Sequence, residues 1–166
     1  MRPLIVTLAL SEPDQARFDA LRAAHFPRGL DHLQAHVTLF HALPGEHEAQ
    51  VRADLAELAD REAHAVRVTR VRSLGRGVAY DLQSDELDVT HRALAARWQP
   101  WLTRQDGQRL CAHVTVQNKV TAERARLLLE RLQRDFVPYD VQATGLALWR
   151  YLGGPWEALE VRAFRP

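Results

Sequence analysis

Two rhythms of apolar residues alternate along the chain. Runs rich in Val, Leu and Ile predict strands at Leu4 to Leu10, Ala35 to Phe40, Ala65 to Ser73, Val78 to Gln83, Leu110 to Gln117, Asp140 to Tyr151 and Trp156 to Phe164. Apolar residues three and four apart predict helices at Ser11 to His25, Glu46 to Glu62, Asp85 to Leu102 and Thr121 to Phe136. Phe18, Leu21 and Ala24 form the buried stripe of the first helix, and Leu87, His91, Leu94 and Trp98 that of the third. Ser11, Asp85 and Thr121 stand where side-chain caps belong. Gly75-Arg76-Gly77 and Gly153-Gly154-Pro155 read as hairpin turns.

The order of elements repeats. Ala35-His36-Val37-Thr38 recurs as Ala112-His113-Val114-Thr115, 77 residues later. Each copy is followed by a helix and then by a strand pair with a glycine-rich turn. The strand pairs share a finer detail. Val66 and Val68 precede a parity slip to Val71, and Val141 and Ala143 precede a slip to Leu146 and Leu148. A slip of one residue predicts a bulge in each pair. The expected fold is α+β: one domain over residues 1–166, built of two similar lobes. Two antiparallel-type sheets line a central cleft, and helices cover the outer faces.

Side chains alternate across a strand, so the repeat also predicts a site. Val37 and Leu39 share one face of the first motif strand, and His36, Thr38 and Phe40 the other. In the second, Val114 and Val116 face one way, and His113, Thr115 and Gln117 the other. With the aliphatic faces buried, each His and its Thr project together toward the cleft. A neutral imidazole takes a proton near pH 7 and an imidazolium gives one, so two across a scissile bond supply a base and an acid. Hydroxyls donate to anionic oxygens, which suits Thr38 and Thr115 to a phosphate. No covalent nucleophile stands out. The set points to in-line displacement at phosphorus, with water attacking and an alkoxide leaving.

Composition narrows this picture. Lys plus Arg is 22 and Asp plus Glu is 21, a net charge of +1, so bulk attraction to a nucleic acid duplex is not expected. All but one of the basic residues are arginine; the exception is Lys119. The single cysteine, Cys111, can form neither an internal disulfide nor a multi-cysteine metal site, and it is expected to be packed. His32 and His36 stand four apart, but His36 reads as strand and no Glu accompanies them, so no metal and no other cofactor is expected. No stretch reaches membrane-spanning length. A cytoplasmic monomer is the expectation.

At the two motifs, His36-Val37-Thr38-Leu39 and His113-Val114-Thr115-Val116, the sequence resembles the 2H phosphoesterase superfamily, in its 2′–5′ RNA ligase and cyclic phosphodiesterase branch. The element order extends the resemblance over essentially the whole chain. It implies a bilobal fold with both His-x-Thr strands in the cleft. It also implies metal-independent opening of a 2′,3′-cyclic phosphate, or cleavage of a 2′–5′ linkage, in a nucleotide or RNA end. Some relatives join RNA ends by the reverse reaction, and a binding module without turnover is a further alternative. By the family pattern His36 and His113 are acid and base, and the threonines hold the non-bridging oxygens; our own expectation, which the pattern does not fix, is that His113 activates water and His36 protonates the leaving oxygen. Several relatives carry an arginine soon after the second motif; here Asn118 and Lys119 stand there.

Four further residues are candidates for substrate binding. Lys119, on the parity of Gln117, can neutralise phosphate or sit solvated at a strand end. Phe40, on the parity of His36, can floor the cleft, stack on a base or pack in the core. Trp149 and Tyr151 share a strand face near the second turn and can hold a nucleobase or pack on the sheet.

Overall fold

A computed structural model describes residues 1–30 and 32–166. The strands are β1 (Leu4–Leu10), β2 (Val37–Leu43), β3 (His64–Ser73), β4 (Val78–Gln83), β5 (His113–Gln117), β6 (Tyr139–Tyr151) and β7 (Trp156–Ala163). The helices are α1 (Glu12–His25), α2 (Glu48–Leu58), α3 (Asp85–Trp98) and α4 (Ala122–Arg134). Ser11 and Thr121 cap α1 and α4 through their side-chain oxygens. At α3 the cap is Ser84 rather than Asp85: its Oγ accepts from the Leu87 N–H at 3.2 Å. Proline lacks the N–H an α-helix needs, so around Pro100 the chain leaves α3 and tightens into a 3-10 turn, Gln99–Trp101. Another such turn, Gly45–His47, precedes α2.

The two expected sheets are one. The strands run in the order β1-β2-β5-β4-β3-β6-β7, every pair antiparallel, and β1 also pairs with β6. This closes six strands into a barrel with β7 on its side. The physical reason is that strands of one repeat hydrogen-bond with strands of the other, β4 with β5 among them. β3 pairs with β6 from His64↔Ala143 to Val68↔Tyr139. β2 meets β5 at Val37↔Val114. The duplication remains visible, because each motif strand precedes a helix and a hairpin: β2-α2-β3-β4 and β5-α4-β6-β7.

One strand face is apolar and packs against the helices. Leu4, Val6, Val37, Val68, Tyr80, Val114 and Leu148 join Phe18 of α1, Leu55 of α2, Leu94 and Trp98 of α3 and Leu128 of α4 in a single buried cluster. The other face lines the cleft and includes the small residues Ala79 and Ala147. The bulges foreseen in the hairpin strands are present, at Thr69 between Val68 and Arg70 and at Thr144 between Ala143 and Gly145. Among the described residues no helix is long and apolar enough to cross a membrane.

Candidate active site

The pairing of Val37 with Val114 sets the geometry of the site. In that antiparallel register His36 stands across from Thr115, and Thr38 across from His113. Each histidine faces the threonine of the other motif, about a pseudo-twofold axis through the valine pair. All four side chains are half-buried, whereas both valines are fully buried against the helices.

Both rings are held the same way. The Nδ1–H of His36 donates to the Gln34 carbonyl at 2.8 Å, and that of His113 to the Cys111 carbonyl at 2.8 Å. A backbone acceptor two residues back fixes one tautomer of the neutral ring, with Nε2 as its proton-accepting nitrogen. Burial pushes the His36 imidazole below its ordinary value of 6.5. The positive charges of Arg22, His113 and His41 add to this, against the opposing bond to Gln34.

Helix α1 holds the approach to β2. Gln15 Nε2 donates to the Ala35 carbonyl at 2.7 Å, and Asp19 Oδ1 accepts the Ala35 N–H at 2.9 Å. Arg22 donates from Nε to the Leu33 carbonyl at 3.1 Å and from Nη1 to the Thr115 carbonyl at 2.9 Å. Arg22 is 5% exposed, so these are bonds from a buried cation, and they tie the two motif strands together. The signal in the sequence is a polar stripe at positions 15, 19 and 22, beside the apolar stripe of the same helix.

Past each threonine, both motif strands carry a bulge that alternation alone did not reveal. Thr7 pairs with Thr38, but Val6 pairs with Phe40, so Leu39 is the extra residue. Ala79 pairs with Thr115, but Val78 pairs with Gln117, so Val116 is the extra residue. These positions are equivalent in the repeat. Each bulge reverses the parity beyond it. Phe40 therefore leaves the cleft and lies fully buried, stacked on His91 at 4.7 Å and edge-on to Trp98 at 4.9 Å. Gln117 likewise turns to the helix side, with Val78. The parity assigned to Lys119 fails for the same reason. The strand ends at Gln117, and Lys119 sits exposed in a turn with φ 62°. Gly77 permits that crossing, since a Cβ there would meet the Gln117 carbonyl oxygen at 2.0 Å.

Trp149 lines the cleft, and its Nε1–H donates to Thr7 Oγ1 at 2.9 Å. Tyr151 lies at the strand end, 39% exposed and paired with Trp156. It is Trp156 that completes the aromatic wall: its ring lies 4.6 Å from His36 and 5.9 Å from Trp149. Trp156 follows the Gly153-Gly154-Pro155 turn and pairs with a residue on the Trp149 parity, which is the sequence signal for it. With Thr7, Leu33 and Val161, these rings line a cavity of about 330 Å³ beside His36.

On the other side of β2, Asp106 accepts the N–H groups of His41 and Ala42 and the Nδ1–H of His41. Burial alone pushes its carboxyl up, but these hydrogen bonds win and hold it below its ordinary range. Cys111 is exposed rather than packed. Among the described residues no three His, Cys, Asp or Glu side chains converge as metal ligands do.

The arrangement can hold one tetrahedral anion between two imidazoles and two hydroxyls, with an aromatic surface on one flank. A family model described as the 2′-5′ RNA ligase superfamily matches residues 10–155. Among solved structures the chain is similar to TT0787 of Thermus thermophilus, at 19% identity and TM-score 0.67 over 99% of this chain and 98% of that one. A structure titled simply phosphoesterase aligns at 15% identity and TM-score 0.63, over 99% of both chains. LigT of E. coli in its apo form aligns at 16% identity and TM-score 0.62, over 99% of this chain and 98% of that one. At such identities the likeness concerns the fold. No curated protein matches the sequence.

Proposed function

Because the chain belongs to the 2′-5′ RNA ligase superfamily, we propose that it is a metal-independent phosphodiesterase that opens 2′,3′-cyclic phosphates or cleaves 2′–5′ linkages at a nucleotide or RNA end. Superfamily membership supports phosphoester chemistry on RNA or nucleotide phosphates in general. The finer reading rests on one observation, the Val37↔Val114 register that sets each histidine opposite the other motif's threonine.

In this reading the scissile phosphate lies on the pseudo-twofold axis. Thr38 and Thr115 donate hydrogen bonds to its non-bridging oxygens, which gain charge as the phosphorus becomes five-coordinate. One imidazole takes a proton from water as the water oxygen bonds to phosphorus. The other gives its Nε2 proton to the ribose oxygen as the P–O bond breaks. The products are a phosphate monoester and a free hydroxyl, and the enzyme regains its starting state by passing one proton between the rings through solvent.

The lowered pKa of His36 supports giving it the base role, since burial favours its neutral, proton-accepting form. His113 is then the acid. This reverses our expectation from the sequence that His113 activates water. Trp156 and Trp149 form the platform for a nucleobase beside His36.

The test is turnover of a 2′,3′-cyclic nucleotide and of a 2′–5′ dinucleotide. His36→Ala and His113→Ala each lower kcat by about 10²–10⁴-fold, the range of a single acid or base group, while circular dichroism stays native. Wild-type turnover survives a chelator. Full activity in either variant overturns the mechanism. Loss with chelator overturns its metal independence. Binding of a 2′-phosphorylated nucleotide without any turnover indicates a recognition module instead.

A further inference from the structure

The two flanks of the cleft differ in chemistry. The His36 flank is aromatic and apolar. The His113 flank carries arginines. Asp81 of β4 pairs with His113 of β5, and Arg70 of β3 pairs with Asp81. Arg72 pairs with Ala79, which in turn pairs with Thr115. Paired residues of an antiparallel sheet share a face, so Arg70, Arg72 and Asp81 stand on the face of the reacting side chains. Together with Arg109 they line a groove of about 550 Å³ that runs away from the second motif.

The groove is pre-arranged. Asp81 receives the Nε–H of Arg70 at 2.5 Å and that of Arg72 at 2.9 Å. One carboxylate thus fixes two guanidinium planes by their inner nitrogens. Among the described residues, the terminal N–H groups of both have no protein acceptor. Arg109 adds a third cation, and Asp88 is the other acid on the lining. Three arginines face two carboxylates, so the groove keeps a positive surplus. Planar forks of donors suit two oxygens of one phosphate, and a guanidinium stays charged at any working pH.

We propose that this groove is a second anion subsite, which binds a phosphate of the same substrate one nucleotide beyond the scissile phosphodiester. The proposal rests on the functional reading above. β3 lies two strand spacings from β5, about 10 Å. An arginine side chain reaching back from β3 covers part of that span, so its fork comes within reach of the phosphate one nucleotide on. A phosphate tethered to a substrate already held at the histidines arrives at high effective concentration, whereas a free anion does not. The substrate is therefore a dinucleotide or longer strand with a further phosphate. One nucleoside lies against Trp156 and the next crosses to the His113 flank. A cyclic mononucleotide fills only half of the cleft.

The experiment compares a 2′–5′ dinucleoside monophosphate with the same molecule carrying an added phosphate at its 5′ or its 3′ terminus. KM is read from turnover and Kd from competition against a fluorescent dinucleotide. In the wild type, the added phosphate at one terminus improves both constants about tenfold or more, and the gain shrinks at high salt. The ratio between the probes falls toward one in Arg72→Gln and in Arg109→Ala. Arg109 is exposed and, among the described residues, makes no bond within the groove, so its variant keeps the test valid if loss of Arg72 disturbs the β3–β4 pair. In Trp156→Ala both probes weaken together and the ratio stays. A wild-type ratio near one at both termini, with the monophosphate still cleaved, refutes the subsite alone. A ratio that persists in both arginine variants also refutes it. Binding that shows the ratio without any cleavage refutes the phosphodiesterase reading and leaves the subsite standing.

Discussion

Arg22 offers the sharpest test of how the site is held. Its guanidinium, 5% exposed, donates to the Leu33 carbonyl before β2 and to the Thr115 carbonyl within β5. Arg22→Gln keeps a polar side chain but is too short and uncharged to serve both. Charge-assisted hydrogen bonds contribute about 1.5–3 kcal/mol each, so losing two costs about 3–6 kcal/mol. Some of that returns, because a buried cation no longer has to be desolvated. The expected net loss is about 3 kcal/mol, which for a chain of this length lowers Tm by about 6–12 °C. Thermal melts and urea titrations measure it directly. Activity supplies a second readout that a purely structural bond would not move. The Arg22 charge is one of the influences that hold His36 low. Removing it raises the His36 pKa, so the acid limb of the kcat/KM profile moves to higher pH. Arg22→Lys keeps a charge without the fork, so it loses stability but leaves that limb near its wild-type position. A Gln variant within about 0.5 kcal/mol of wild type, the range of an ordinary surface change, refutes the clamp.

Other outcomes follow from the same physics. Burial holds His36 and His91 below 6.5, so the unfolded chain takes up protons that the folded chain resists as pH falls past that value. Stability is therefore greatest above pH 6.5 and declines on acidification; urea midpoints at pH 5.5 and 7.5 show the drop, His36→Asn reduces it, and equal midpoints refute it. Phe40→Ala opens a cavity among His91 and Trp98 and costs about 3–5 kcal/mol of stability. Were Phe40 a base platform instead, KM would rise and Tm would hold. Trp156→Ala does the reverse, weakening nucleotide binding by about tenfold, since stacking on an aromatic ring contributes about 1–3 kcal/mol per base. An unchanged KM in that variant removes Trp156 from the site.

The duplication, the element types and the pair of His-x-Thr strands were legible because they depend on local pattern. Alternation placed Val37 and Val114 inward, and nothing between the valines and threonines disturbs it. The bulges at Thr69 and Thr144 were legible too, because aliphatic residues change parity around them. The bulge at Leu39 was hidden for the opposite reason. Leu39 and Phe40 are both apolar, so either can be buried and no break in pattern results. At Val116 the following residue is Gln117, whose polarity suggests the cleft side although it lies buried. Single-strand patterns also carry no information on which strands pair. The closure of two expected sheets into one barrel depends on β1 bridging β2 and β6, which only the whole chain determines.

The bulges also explain how the cleft is shaped. A strand that alternated without interruption would present Phe40 and Gln117 beside the histidines and fill the space a substrate needs. The extra residue after each threonine turns the next side chain back into the core. It thereby ends the reactive face at the hydroxyl. The same device stands at equivalent positions in both repeats, so the central part of the cleft stays symmetric. Symmetry stops there. Past His36 the wall is built by the β6–β7 hairpin, with Trp149 and Trp156; past His113 it is built by β3–β4, with Arg70, Arg72 and Asp81. The equivalent hairpins of the two repeats have diverged in chemistry while the motif strands between them have not. In the proposed reading, that division lets a chain of net charge +1 handle a nucleic acid end. Charge is concentrated on one flank and apolar surface on the other, and in the proposed reading the phosphate between them is met by neutral donors and two rings that exchange a single proton.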